Sequence, residues 1–394
     1  FERRRTLLLS DYSGHGFTYE LANDLHERGT SVSYTHCVST LTPKATFSGS
    51  VPVHPIRSGR NFEKYRLWKR AVSEVRYGIG TARVVLIERP AVHVVCNMPL
   101  VTAAIVWAAG LLTRTRFVVW LQDVQSGLAV GSLRSGPALA AIRRLEAFVL
   151  RRAERVVAIS EPLADSARGF GVRRDRVVLL RNWAPIGSIP DLDRANRWSA
   201  EHGLDDRFVF MYAGTLARKH RPDLLLALAR EMSSEPDVAV VVVSEGEGAD
   251  ELRRQRAASP DLDRLVVLDY QPFDRLAEVL AAADVLIVLL EPVASSHSVP
   301  SKTLSYLCAG RPVLAAVPSE NDAVRILVEE AGAGVVVAPD DTEGFVSGAA
   351  ALRRDPDRCG RLGASGRAYA EREFASDRVV AGFVSAIGLE GIEV

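Results

Sequence analysis

Short runs of consecutive apolar residues alternate along this chain with longer stretches of helical spacing. In the first half, residues 6–10, 31–37, 84–87, 92–96, 116–121 and 156–159 predict strands, while 17–28 and 138–153 carry the i, i+3, i+4 pattern of helices. Strands apolar throughout are buried on both faces, which predicts parallel sheets covered by the intervening helices. A proline-rich stretch, RNWAPIGSIPDLDRA at 181–195, interrupts the pattern. Alternation then restarts with 208–212, 238–244, 265–268, 285–290, 312–317 and 334–337. We therefore expect two α/β units in tandem with a hinge at 181–195: a first domain over 1–183, a second over 184–372, and a closing helix in 373–394 returning to the first. Ligands of open α/β sheets bind beyond the carboxyl ends of the strands, so the expected site is a cleft between the domains.

Composition changes this picture little. A chain of 394 residues suits two domains, and 47% hydrophobic with 25% charged residues is the balance of a globular protein. Lys+Arg 49 against Asp+Glu 48 gives a formal net charge of +1, too little for a general field toward nucleic acid. The four cysteines, Cys37, Cys96, Cys308 and Cys359, show neither metal spacing nor a disulfide framework, which favours a reducing, cytoplasmic setting. The apolar run 98–112 is too short to span a bilayer and reads as a buried helix, while FERRRTLLLSDYSG reads as a first strand rather than a signal peptide. From Asn61 to Tyr77, Phe62, Tyr65, Trp68, Val72 and Val75 fall at helical spacing among Lys64, Arg66, Lys69, Arg70 and Arg76. Such a helix either packs its stripe on the sheet or makes a peripheral contact at the inner face of a membrane.

The candidate chemistry is densest in the second half. In SVPSKTLSYLCAGRPVLAA (298–316), Pro300 suits a turn or first helical position and Ser301 is a good N-cap. Leu304, Tyr306 and Leu307 support a short buried helix. Unpartnered N–H groups at such a helix start favour an anion and Lys302 adds a full charge, which suits a diphosphate; a capped surface helix is the plain alternative. Upstream, strand 208–212 runs into AGTLARKHRPDLLLALA. Gly214 and Thr215 stand at the turn, and Arg218 and Lys219 just before a helix starting about Pro222. Two cations there hold a diphosphate or are solvated surface charges. Next, SEGEGADEL places Glu245, Gly246 and Gly248 in a loop resembling one that approaches a nucleotide, or an ordinary turn. Tyr270 and Gln271 end the third strand, where backbone and ring are placed to flank a base, with Phe273 reading as a core aromatic.

In the first half, Ser13, Gly14, His15 and Gly16 form a small-residue loop after the first strand that allows close backbone approach to substrate. His15 is a candidate to reach an acceptor, or a solvated loop histidine. FVVWLQDVQSG ends another strand in Gln122 and Asp123, and Asp123 either accepts a hydrogen bond from an acceptor hydroxyl or caps the following turn.

The succession YAGTLARKHRPDLLL, VVVSEGEG, QPFDRLAEVLAAADVLIV and SVPSKTLSYLCAGRPVLAA resembles the donor half of retaining glycosyltransferase family four. Its PSK variant resembles the branch that builds bacterial surface polysaccharides, including amino-deoxysugar transferases. The resemblance covers about 156–374 well and the first half mainly in layout. It implies the GT-B architecture, two facing Rossmann-like domains with parallel sheets and an interdomain cleft. It also implies transfer of a hexose, with retention, from a nucleoside-diphosphate-sugar of the UDP kind to a hydroxyl of a lipid-linked or small-molecule glycoconjugate, without a metal or other cofactor. The family's phosphate-binding pair falls on Arg218 and Lys219, and its backbone phosphate contacts on Val299, Pro300, Ser301 and Lys302, beside Ser298. The implied catalytic set is Arg218, Lys219, Lys302 and Asp123. Further donor contacts fall on Gly14, Gly16, Gly214, Thr215, Glu245, Gly246, Tyr270 and Gln271, with His15 and Gln122 on the acceptor side.

Two departures stand out. The family's two glutamates, eight residues apart, fall on His297 and Ser305, neither acidic, leaving Glu291, His297 or Lys302 as substitutes. Gln122 stands where the family commonly has histidine in a His-Asp pair. Two other readings are a GT-B sugar-nucleotide epimerase, against which the sparse acids argue, and a silent partner of another transferase, against which Lys219 and Lys302 argue. No G-x-G-x-x-G follows a strand, which disfavours a dinucleotide oxidoreductase.

Overall fold

The computed structural model of the chain describes residues 6–39, 49–59, 67–129, 136–216, 221–290, 302–318 and 330–389. The chain divides into two units, Phe1–Asn182 with Ser376–Val394, and Trp183–Ala375.

The first unit is built on seven strands: β1 (Leu7–Asp11), β2 (Val32–Cys37), β3 (Val53–Ile56), β4 (Val92–Cys96), β5 (Arg116–Leu121), β6 (Arg155–Ala158) and β7 (Val177–Leu179). Their order is β3-β2-β1-β4-β5-β6-β7 and every pair is parallel. Strand order reverses between β1 and β4, in register through Leu7 with Val92 and Asp11 with Cys96. The second unit repeats the scheme with β8 (Phe208–Ala213), β9 (Val238–Val243), β10 (Leu265–Leu268), β11 (Val285–Leu289), β12 (Val313–Ala316) and β13 (Gly334–Val337). These lie parallel in the order β10-β9-β8-β11-β12-β13, reversing between β8 and β11. Both sheets have the doubly wound order of nucleotide-binding folds, which puts a ligand crevice at the carboxyl end of β1 or β8.

Burial explains why the central strands form. Leu7, Leu8 and Leu9 in β1 and Val240, Val241 and Val242 in β9 are wholly enclosed, each contributing about 1.5–3 kcal/mol relative to exposure. The helix Ser376–Ile387 belongs to the first unit: it buries Val379, Val380, Phe383, Ala386 and Ile387, with Phe383 5.3 Å from Trp120 between ring centroids. Its last carbonyls are held by two arginines. Arg155 Nη1 donates to Ser385 O and Ala386 O at 3.0 and 3.2 Å, and Arg116 Nη1 donates to Gly388 O at 3.0 Å. Cations at a helix C-terminus also suit its dipole.

Several expectations need correction. Residues 84–87 are not a strand but the last turn of the helix Leu67–Glu88, where Val85 is buried while Leu86 and Ile87 are exposed. A four-residue apolar run does not by itself separate the two periods. The third strand is instead β3, an edge strand, which is where Pro55 is tolerated. The short edge strand β7 was not foreseen either. The run 98–112 forms the helix Leu100–Thr113, but one side is open: Val101, Leu111 and Leu112 are exposed. Of the stripe in 61–77, Val72 is exposed and Val75 half-buried, and the side chains of Phe62, Tyr65 and Trp68 lie outside the described residues. Phe273 is exposed rather than a core aromatic.

Candidate functional site

In the first unit the crevice position is occupied by a buried carboxylate. Asp11 ends β1 with no exposed surface, and the turn that follows folds back on it. Ser13 N–H donates to its Oδ1 at 3.0 Å, and His15 N–H and Thr18 Oγ1 donate to its Oδ2 at 2.8 Å each. His15 Nδ1 donates to the same Oδ2 at 2.9 Å, and Asn97 Nδ2 lies 3.4 Å from Oδ1 at the end of β4. Burial pulls the Asp11 pKa up, but the charge and hydrogen bonds of His15 and the Thr18 hydroxyl outweigh it and hold the carboxyl below its ordinary range. His15 shows the reciprocal balance: burial lowers its pKa, while the bond and charge of Asp11 and the charge of Asp123 raise it to a net gain. With Nδ1 bound to Asp11, the imidazole keeps its tautomer and turns Nε2 away from the carboxylate.

Gly14 and Gly16 lie in this loop, and Gly16 opens the helix Gly16–Glu27. Asp123 is half-buried beyond β5. Gln122 is engaged within the unit: its Nε2 donates to Asn182 Oδ1 at 3.2 Å and its Oε1 accepts from Asn182 Nδ2 at 2.6 Å.

In the second unit the crevice position holds a lysine. Lys302, first residue of the helix Lys302–Cys308, donates from Nζ to Tyr212 Oη at 2.6 Å and stands 3.8 Å from that ring's centroid. Tyr212 Oη in turn donates to Thr215 O at 2.8 Å. Tyr306, on the same helix, accepts from Ala213 N–H at 3.0 Å and donates to Ala213 O at 2.9 Å, pinning the end of β8. Gly214 follows with φ +133, where a Cβ would stand 3.1 Å from Lys302 Nζ; a side chain is excluded by conformation and by the lysine. Lys302 as a residue is half-buried, its ammonium being the enclosed end, and burial lowers its pKa from 10.5 to about 7. Among the described residues it has no ion-pair partner.

The neighbouring loops are tied to this point. Thr215 Oγ1 is hydrogen-bonded to Tyr270 Oη. Gly248 N–H donates to Leu216 O at 2.9 Å, and a Cβ on Gly248 would lie 2.6 Å from that oxygen, so this glycine lets the 214–216 segment close on the next loop. Glu245 is exposed, and its carbonyl accepts from Leu216 N–H at 3.3 Å beside Gly246. Gln271 serves a structural contact, its Oε1 accepting from Trp198 Nε1 at 3.0 Å. Ser305 is half-buried one turn from Lys302. Arg218, Lys219, Glu291, His297, Ser298, Val299, Pro300 and Ser301 lie outside the described residues.

The geometry thus draws together Lys302, Gly214, Thr215 and Tyr270 in one unit and His15 with Asp123 in the other. Asp11, Thr18, Asn97, Tyr212 and Tyr306 were missed from the sequence. A carboxylate ending an apolar strand was the available signal for Asp11.

Residues 16–183 match the family model described as Glycosyl transferase 4-like domain, and residues 207–355 match Glycosyl transferases group 1. The chain carries two glycosyltransferase domains. Solved structures agree on the fold. Anabaena Alr3699/HepE in complex with UDP is similar with a TM-score of 0.73 at 14% identity, covering 98% of this chain and 100% of that one. Sucrose-phosphate synthase from Thermosynechococcus elongatus gives a TM-score of 0.75 at 15% identity, covering 98% and 99%. A UDP-N-acetylglucosamine 2-epimerase, so described, from Listeria monocytogenes gives 0.66 at 13% identity, covering 98% and 97%. No curated protein matches the sequence significantly. The two doubly wound units of this chain therefore have the GT-B fold, as the sequence predicted.

Proposed function

We propose that the chain transfers a sugar from a nucleoside-diphosphate-sugar to an acceptor hydroxyl, with the donor's diphosphate held by the second unit. The observation that carries this reading is Lys302: a cation with its charge enclosed and, among the described residues, no carboxylate partner, at the position where a doubly wound sheet binds its ligand. An anion is the missing counter-charge. Arg218 and Lys219 are assigned to the same diphosphate on the sequence resemblance. HepE, similar in fold, is known in complex with UDP and with UDP-glucose, which supports a UDP-sugar as the first donor to try.

In the proposed reaction the acceptor oxygen bonds to the anomeric carbon as the bond to the nucleoside diphosphate breaks. Charge builds on the leaving phosphate, where Lys302 stabilises it. The acceptor's proton passes to the leaving phosphate in the retaining version that the resemblance implies. His15 and Asp123 are assigned to the acceptor side, and the acceptor to a hydroxyl of a lipid-linked or small-molecule glycoconjugate. No metal or other cofactor is assigned, and the setting is cytoplasmic.

The test is a thermal-shift screen of the purified chain against nucleoside diphosphates and their sugars, followed by turnover with the stabilising donor. A ligand at a hundred times its dissociation constant stabilises by about 2.7 kcal/mol. The anomer of the product decides retention. Interconversion of the donor sugar without an acceptor would make the protein an epimerase, and binding without turnover a silent partner.

A further inference from the structure

The hydrogen bonds that start at Lys302 run in one direction. Tyr212 is wholly enclosed in β8, and its hydroxyl has two partners, Lys302 Nζ at 2.6 Å and the carbonyl of Thr215 at 2.8 Å. A phenol has one proton to give. An ammonium cannot accept and a carbonyl cannot donate, so with Lys302 charged that proton is committed to Thr215 O. A neutral amine carries a lone pair and competes for it. Thr215 in turn holds the exposed Tyr270, Oγ1 to Oη, which links the end of β8 to the end of β10.

The same turn is anchored on its other sides. Tyr306 fixes both backbone groups of Ala213, Gly214 N–H donates to Val243 O at 3.0 Å, and Leu216 N–H donates to Glu245 O at 3.3 Å. Among these anchors the bond from Tyr212 is the one that a neighbouring charge can change, since the others are set by strand and loop backbone and by Tyr306. The titratable side chains that gather here are Tyr212 on β8, Tyr306 on the lysine's own helix and Tyr270 beyond β10, with Glu245 beyond β9 adding a negative charge beside Tyr270. Burial lowers the lysine to about 7, so both of its forms are within reach at neutral pH and a bound anion selects the charged one.

We infer that Tyr212 is a positioning residue that couples the two ends of the ligand: an anion held by Lys302 commits the phenol's proton to Thr215 O, and Thr215 then presents Tyr270 to the nucleoside. This coupling rests on the diphosphate proposed at Lys302, and it goes further in making the phosphate end prepare the grip on the nucleoside end. Each hydrogen bond in the series polarises the next, so a full charge at its start strengthens the bond to Thr215 O. Couplings between sites typically run from about fivefold to about 150-fold and are reciprocal, so the nucleoside end favours the anion by the same factor.

Titration calorimetry of the purified full chain with UDP and with inorganic pyrophosphate tests this on wild type, Tyr212→Phe, Tyr270→Phe and the double variant. Phenylalanine keeps the ring beside Lys302 and removes the hydroxyl alone. Tyr212→Phe is expected to weaken UDP binding at least about tenfold and pyrophosphate binding less than about threefold. Tyr270→Phe weakens UDP binding in the wild-type background but adds nothing once the Tyr212 hydroxyl is gone. Thr215→Val cuts the last link without touching the lysine or the phenol; it has the same signature and keeps the test open should Tyr212→Phe fail to fold. Equal losses for UDP and pyrophosphate, losses that add in the double variant, or wild type that binds UDP no more tightly than pyrophosphate overturn the inference while the diphosphate reading stands. Wild type that binds neither ligand overturns that reading, and the inference with it.

Discussion

Replacing Lys302 by methionine keeps most of the apolar stem and removes the enclosed ammonium. Burial lowers this lysine from 10.5 to about 7, and at about 1.4 kcal/mol per pKa unit the charged form costs on the order of 5 kcal/mol in the folded state. The residue as a whole is only half-buried, so relaxation toward water reduces this to about 2 kcal/mol. The sign follows from the depressed pKa. Below pH 7 both folded and unfolded chains carry the charge and the cost is full; between 7 and 10.5 the folded chain sheds its proton and stability rises. Tyr212 Oη keeps Thr215 O as acceptor without the lysine. Lys302→Met is therefore expected to melt about 4–8 °C above wild type at pH 6.5 without ligand, at 2–4 °C per kcal/mol for a unit of this size. The advantage shrinks as pH rises toward 10. UDP reverses the order, stabilising wild type and leaving the variant nearly unmoved. Differential scanning fluorimetry at pH 6.5 and 9.5, with and without UDP, reads all four states. A variant that melts below wild type without ligand, or that UDP stabilises equally, refutes the assignment of Lys302 as an unpaired charge awaiting an anion.

Three further outcomes are expected. Asp11→Asn removes the charge that five donors share and should cost about 2–4 kcal/mol in urea unfolding, while the His15 pKa, followed by proton NMR, falls below 6.5 because burial then outweighs the one raising influence left, the charge of Asp123. Gly248→Ala forces a Cβ to 2.6 Å from Leu216 O and should cost about 1–3 kcal/mol and weaken UDP binding by calorimetry; unchanged values would show that the loop yields. Burial lowers the His93 pKa to about 3, so the stability tied to its neutral form is complete above pH 6.5 and is lost as pH falls toward 3. Between pH 6.5 and 4.5 wild type should lose about 2 kcal/mol more than His93→Gln in denaturant titrations.

The sheets were legible because their strands are buried on both faces and read as continuous apolar runs. Residues 84–87 misled because a helix ending in Val-Val-Leu-Ile has the same local look, and β3 escaped because Pro55 argues against a strand anywhere but an edge. Gly214 and Lys302 were visible as turn and charge in a strand-to-helix context. Tyr212 and Tyr306 were not, since a tyrosine inside an apolar stretch reads as core; both rings are buried, and their hydroxyls, with the face of the Tyr212 ring against Lys302, serve the crevice. The Asp11 cluster joins residues up to 86 positions apart, a pairing that exists only once β1 and β4 are adjacent.

The helix Ser376–Ile387 makes the first unit discontinuous in sequence while the second is a single uninterrupted span. During synthesis the later unit can thus complete its packing before the earlier one, whose Trp120 face stays uncovered until Ser376–Ile387 has left the ribosome. The emergence of that helix, rather than of the seven strands themselves, then sets when the amino-terminal half becomes resistant to proteases.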